Sequence, residues 1–185
     1  ADRLIMADSK GRVYNGDELL YVIVSDRSRQ KPVAGVAGTL MTNYALEKKL
    51  AGDGIPFVRA KVGDRYVMEE LLARNWLYGG ESSGHIIARQ TTGDGVVSAL
   101  QVLAAMRSQK KSLPELLAGL TLMPQILINT RVPKGYRWQE DALFVKSVEK
   151  AQKEIAGRGR VLIRPSGTEP LLRVMAEADD AEFAR

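Results

Sequence analysis

Seven residues near the end of the chain, RPSGTEP at Arg164 to Pro170, combine a guanidinium, two hydroxyls, a glycine and a carboxylate. Arg164 can grip a phosphate through parallel N–H donors. Ser166 and Thr168 add hydroxyls. Gly167 lets the backbone come close to a ligand and turn its N–H groups into one concavity. RVLI before the loop and LLRVMAEA after it read as strands, so the loop joins two strands. Arg173, on the second of them, adds another positive charge. Charge-assisted hydrogen bonds are worth about 1.5–3 kcal/mol each, so three or four hold an otherwise hydrated phosphate. The same residue types also make an ordinary hairpin turn, since serine, glycine and threonine are common there.

A second loop, GESSGH at Gly80 to His85, sets a carboxylate and two hydroxyls between glycines. Glu81 can accept hydrogen bonds from two vicinal hydroxyls or from an ammonium, and Ser83 can donate or accept. His85 is the only histidine in the chain; a lone histidine more often fixes a loop than catalyses, and that is the first reading here. In KVGDRYV, Lys61, Asp64 and Arg65 surround Gly63. They form a polar wall over a ligand, or Asp64 merely caps the helix that follows. TTGDG at Thr91 to Gly95 is readable as a helix start. Ala1-Asp2-Arg3 has no initiator methionine and runs straight into an apolar strand; alone, Asp2 is an ordinary exposed acid.

These loops need elements to position them. Asn15-Gly16-Asp17 opens a helix that carries Leu19, Leu20, Val22, Ile23 and Val24, which fit one helical face imperfectly. Val33 to Leu40 and Ile55 to Ala60 read as strands. Helices are expected from Asn43 to Leu50 with Gly52 as a stop, and from Asp64 to Arg74 with Val67, Leu71 and Leu72 on its apolar side. Gly95 leads into a helix with Val96, Ala99, Leu100, Leu103 and Ala104 on one stripe. Ser112 to Gly119 has a proline in its first turn and a capping-box glutamate. After Leu120 come a strand (Met123 to Val132), a helix (Asp141 to Ala156, with Leu143, Val145 and Val148 apolar) and the two strands around RPSGTEP. The tail from Ala178 reads as the start of a further helix. The expected fold is α/β: a layered α/β domain with a mixed sheet over residues 1–120, then a small α+β domain over residues 121–185, an antiparallel sheet with helices on one face.

Composition narrows the function classes. Net charge is +5, but basic residues are spread among acids and aromatics are only 6%, which argues against a nucleic-acid groove. There is no cysteine, so neither disulfides nor thiolate chemistry arises. No apolar run approaches the roughly 20 residues a membrane span needs, and no secretory signal pattern opens the chain. No membrane or nucleic-acid partner and a cytoplasmic location are expected.

In chain order, GTLMTN (Gly38 to Asn43), KVGDRYV, GESSGH, TTGDG and RPSGTEP resemble the α-D-phosphohexomutase superfamily, and within it the bacterial phosphoglucosamine mutases. The resemblance covers essentially the whole chain, as the C-terminal part of a longer enzyme whose N-terminal domains are missing. It implies a phosphate-binding loop at Arg164, Ser166, Gly167 and Thr168 with Arg173 beside it, and a sugar-binding group at Lys61, Asp64, Arg65, Glu81, Ser83 and His85. It also implies that Ala1-Asp2-Arg3 ends the family's magnesium loop, with Asp2 a metal ligand and Arg3 a catalytic residue near the transferred phosphoryl group. Two further metal aspartates and a catalytic phosphoserine then lie outside this chain. The implied activity is an isomerase that moves a phosphoryl group between the ends of glucosamine phosphate through a bisphosphate, with Mg2+ as cofactor, in amino-sugar and cell-wall precursor synthesis. The chain alone is then expected to be inactive. A phosphomannomutase or phosphoglucomutase, and a non-catalytic module binding phosphosugars, remain as alternatives.

Overall fold

A computed structural model describes residues 2–89, 93–166 and 169–185. The chain divides into two compact units, Ala1–Thr121 and Leu122–Arg185.

In the first unit a short hairpin, β1 (Met6–Ala7) with β2 (Val13–Tyr14), leads into α1 (Gly16–Ser28). Asn15 caps α1: its side-chain oxygen accepts from Asp17 N at 3.0 Å and Glu18 N at 3.2 Å, while Glu18 accepts from Asn15 N at 3.1 Å. This reciprocal box satisfies donors that the first helical turn leaves unpaired. Residues Gly16 through Val24 of α1 are all buried, which explains why no single apolar face emerged from the sequence: the helix is enclosed on every side.

The main sheet follows the order β4 (Phe57–Ala60), β3 (Val36–Thr39), β5 (Tyr78–Gly80), β6 (Ile86–Ala88). The first three are parallel and β6 is antiparallel to β5. The crossovers run through α2 (Tyr44–Gly52) and α3 (Asp64–Arg74). A methyl group added at Gly79 would meet Val67 and Leu71 of α3, and one at Gly80 would approach Leu20 of α1. Successive strand residues point to opposite faces, so α3 covers one face and α1 the other. The α3 face is closed by Ala37, Ala60, Val67, Leu71 and Ile87.

GESSGH, read as a loop, is the turn of a tight hairpin whose strands are β5 and β6. Three expectations of apolar faces are corrected. In α4 (Gly95–Gln109) the buried side is Gly95, Ser98, Val102 and Ala105, while Val96, Leu100 and Leu103 are 62%, 60% and 48% exposed. Small residues let α4 approach its neighbours closely, and Ser98 Oγ reaches Ile86 O at 3.5 Å. In α3, Leu72 is 60% exposed. In α6 (Ala142–Ile155) Leu143 is 82% exposed, and Ile155 is the buried residue. The helix expected from Ser112 shortens to α5 (Leu113–Leu116), with its capping box intact.

The second unit is a three-stranded antiparallel sheet in the order β7 (Gln125–Arg131), β9 (Leu171–Ala178), β8 (Gly159–Pro165), with α6 against it. Ile155 packs with Ala178 and Ala184, and Ile126 and Val161 join them. Asp141 caps α6 through Phe144 N at 3.1 Å and accepts from Tyr136 Oη at 2.8 Å; these two bonds, the backbone one first, hold its carboxyl below the usual carboxylate range. The tail forms turns after β9 and no helix.

Candidate functional site

The C-terminal ends of parallel strands are where open α/β sheets bind ligands, and the first unit opens a cavity there. Its volume is about 450 Å³, and its walls include Arg3, Thr39, Met41, Gly63, Asp64, Glu81, Ser83 and His85. The hairpin turn is held from several sides. Glu81 N donates to His85 O at 2.9 Å and Gly84 N to Glu81 O at 3.0 Å. Leu4 N donates to Gly84 O at 2.9 Å and Gly16 N to Ser82 O at 3.0 Å, which ties the turn to the chain start and to the mouth of α1. Gly84 has φ +97°, and a methyl group there would run into Leu4 O.

Two side chains of this turn face inward. Glu81 accepts from Gly63 N at 3.0 Å, so one of its oxygens fixes the neighbouring loop. His85 lies between two carboxylates, with Nδ1 3.6 Å from Asp2 and Nε2 3.8 Å from Asp64. Asp64 does not cap α3: the cap position is Gly63, and no side chain bonds the helix start. Its carboxylate is 61% exposed and opens into the cavity.

Of the residues predicted for the sugar, the structure therefore gathers Asp64, Glu81, Ser83 and His85, together with Asp2 and Arg3. Lys61 and Arg65 are not among its walls. Lys61 lies over the Tyr66 ring at 5.7 Å, and Arg65 pairs with Glu69 at 2.9 Å on the outer side of α3. Asp94 caps α4 through Val96 N at 2.8 Å and Val97 N at 3.1 Å, the helix-start role read from TTGDG; Thr91 and Thr92 lie outside the described residues.

Thr39, Met41 and Val62 also line the cavity and were not predicted. The signal was present, because Thr39 ends the central parallel strand. Its turn is stapled internally: Thr39 N donates to Thr42 Oγ1 at 2.9 Å and Met41 N to Thr39 Oγ1 at 3.1 Å. Arg59 then latches it from β4, donating to Thr39 O at 3.0 Å and Thr42 O at 2.8 Å while Nη2 pairs with Glu47 at 2.6 Å.

The second unit carries the other predicted group. Across the β8–β9 ladder Arg164 stands opposite Arg173, and Asn129 of β7 is the partner of Arg173 on its other side. Like charges directly opposite destabilise a sheet. Arg173 Nη2 approaches Ser166 Oγ at 3.5 Å, and its buried Nε has no hydrogen-bond partner among the described residues. Opposed guanidiniums with a free N–H donor are chemically able to bind an anion. Gly167 and Thr168 lie outside the described residues.

The residues present do not fit a magnesium cage. Asp2 supplies one carboxylate, and no group of three or more acidic or histidine side chains among the described residues is arranged around a common centre. Mg2+ demands near-octahedral oxygen ligation.

The chain belongs to the phosphoglucomutase/phosphomannomutase family: the profile of the family's alpha/beta/alpha domain III matches residues 15–122, and that of its C-terminal domain matches residues 127–185. Its similarity runs particularly to phosphoglucosamine mutases. That of Methylibium petroleiphilum is 55% identical over 197 residues, covering 100% of this chain and 43% of the relative. That of Cupriavidus pinatubonensis is 59% identical over 187 residues, with 100% and 42% covered. The chain thus spans about two fifths of the length of these curated relatives. Among solved structures, Aspergillus fumigatus N-acetylphosphoglucosamine mutase in complex with GlcNAc-6P and magnesium superposes with a TM-score of 0.80 at 22% identity, covering 100% of this chain and 48% of that one. This likeness bears on the fold alone. No helix among the described residues is long and apolar enough to cross a membrane.

Proposed function

We propose that this chain supplies the sugar-holding and phosphate-holding domains of a phosphoglucosamine mutase, an isomerase that interconverts glucosamine-6-phosphate and glucosamine-1-phosphate. The observation that carries the reading is the pair of arginines opposed across β8 and β9, with no salt bridge to either among the described residues, in a family of phosphohexose mutases. Identities of 54–59% to phosphoglucosamine mutases favour the amino sugar over mannose or glucose phosphates.

On this reading Arg164, Ser166, Gly167, Thr168 and Arg173 hold the phosphate that is not reacting. Glu81 and Ser83 hold ring hydroxyls, and His85 and Asp64 complete the wall. Arg3 offsets charge on the phosphoryl group in flight. In the longer enzyme a phosphoserine on another domain gives its phosphoryl group to the free hydroxyl of the substrate. The resulting bisphosphate turns round, and its other phosphate returns to the serine. The same ring and phosphate contacts must serve both orientations. That is why one loop is built for hydroxyls and another for an anion: catalysis of phosphoryl transfer rests mainly on positioning and charge. Neither the phosphoserine nor a complete metal site belongs to these residues, so the chain by itself binds phosphosugar weakly and does not turn it over.

Assay of the longer mutase containing this sequence tests the reading. Glucosamine-6-phosphate is expected to have the highest kcat/KM, with mannose-6-phosphate and glucose-6-phosphate well below it. A preference for either neutral sugar assigns the chain to the phosphomannomutase or phosphoglucomutase branch. Absence of turnover on all three leaves a non-catalytic phosphosugar binder.

A further inference from the structure

The register of the second sheet places Arg131 on the same face as Arg164 and Arg173. Paired residues of antiparallel strands share a face, and alternate residues along a strand return to it. Counted from one end, that face carries Gln125–Glu177–Arg160, then Leu127–Met175–Leu162, then Asn129–Arg173–Arg164. The next rung on the same face begins with Arg131 opposite Leu171, and Ser166 N donates to Leu171 O at 2.8 Å from the other side. Val132 N bonds Pro170 O at 3.0 Å, so the ladder persists up to the edge of the phosphate loop.

Charge is sorted along this face. Its one carboxylate among the described residues is Glu177, which is fully buried and bonded by Arg160 Nε at 2.6 Å and Gln125 Nε2 at 2.9 Å. An apolar rung separates it from the other end. There Arg164 and Arg173 share a rung, Arg173 Nη2 lies 3.5 Å from Ser166 Oγ, and Arg131 stands on the next rung, with no salt bridge for any of the three among the described residues. Diagonal neighbours on one sheet face lie about 7–8 Å apart, within reach of long side chains. Three unpaired guanidiniums so placed repel one another. Arg131 stands on the edge strand and is exposed, so its head group is free to swing towards the loop.

We infer that Arg131 is a third phosphate-binding arginine. The inference rests on the proposed function, in which Arg164 and Arg173 hold the phosphate. It adds that the dianion is gripped from the β7 edge as well as from β8 and β9.

Titration of the 185-residue chain with inorganic phosphate, followed by calorimetry and by melting temperature, tests it. Arg131→Ala is expected to raise the Kd about tenfold, the lower end of what one charge-assisted bond is worth. Its melting temperature without phosphate is expected to stay level or rise, because a repulsive charge is gone. Arg131→Lys keeps the charge but not the fork and should lose about half as much on a logarithmic scale. Parent-like phosphate affinity in Arg131→Ala, while Arg164→Ala abolishes binding, overturns the inference and leaves the proposed function standing. A phosphate-free melting temperature that falls in both Arg131 variants also overturns it, by making the residue structural. Failure of the parent chain to bind phosphate at all overturns both readings.

Discussion

Glu81 holds the Gly63 amide with one oxygen, and Arg59 holds two carbonyls of the Thr39–Thr42 turn. At this scale the candidate site was legible wherever residue type alone restricts role. The glutamate and serine of GESSGH and the histidine beside them line one cavity, and Arg164 and Arg173 stand opposite each other on the last two strands. Lys61 and Arg65 are not among the cavity's walls: Lys61, in the turn between β4 and α3, lies over the Tyr66 ring, and Arg65, on α3, is aligned with Glu69 one turn on. Arg59 was invisible in the sequence. Its partners are backbone oxygens 17 and 20 residues away, and no local pattern announces them. Replacing Arg59 by methionine removes both of its bonds to the turn, where Thr39 O still accepts from Thr42 N at 3.1 Å, and should cost about 1.5–3 kcal/mol by urea unfolding. Glu47→Gln removes only the outer, half-exposed ion pair and should cost about 0.2–1 kcal/mol. Equal losses in the two variants would show that the ion pair, not the carbonyl latch, holds the turn.

At the scale of elements, punctuation was readable and burial was not. Asn15, Asp94, Ser112 and Asp141 each sit at a helix start, because capping is a property of a few neighbouring atoms. The buried side of α4 was misread because bulk was taken for burial. Gly95, Ser98 and Ala105 are small, so the packed face looks polar and weak in sequence, while Val96, Leu100 and Leu103 form the more obvious stripe. The close approach that small residues permit decides which face wins. Ser98→Leu is therefore expected to destabilise the chain by about 1–3 kcal/mol through overpacking, whereas Leu100→Gln should stay within about 0.5 kcal/mol of the parent. Chemical denaturation reads both, and the reverse order would return the helix to the face drawn from its hydrophobic stripe. The β5–β6 hairpin was missed for a related reason: strands of three residues are shorter than any alternation can define.

For the whole molecule, the sequence offers two chemistries in two places: a cavity rich in carboxylates and hydroxyls in the first unit, and a face of unpaired arginines in the second. The net charge of +5 looked diffuse along the chain, and only the strand register shows that four arginines share one face, of which Arg160 alone has a carboxylate partner among the described residues. The proposed substrate, a phosphosugar, has a neutral or ammonium-bearing ring and a dianionic end, one for each chemistry. The most direct test is a backbone-amide NMR titration of the chain with glucosamine-6-phosphate, with inorganic phosphate as the comparison. The account predicts that Gly63, whose amide is bonded to Glu81, shifts together with Ser166 and Arg173 along one binding curve, and that inorganic phosphate moves only the latter two. Shifts confined to one unit under the sugar phosphate, or two curves with different Kd values, would contradict it.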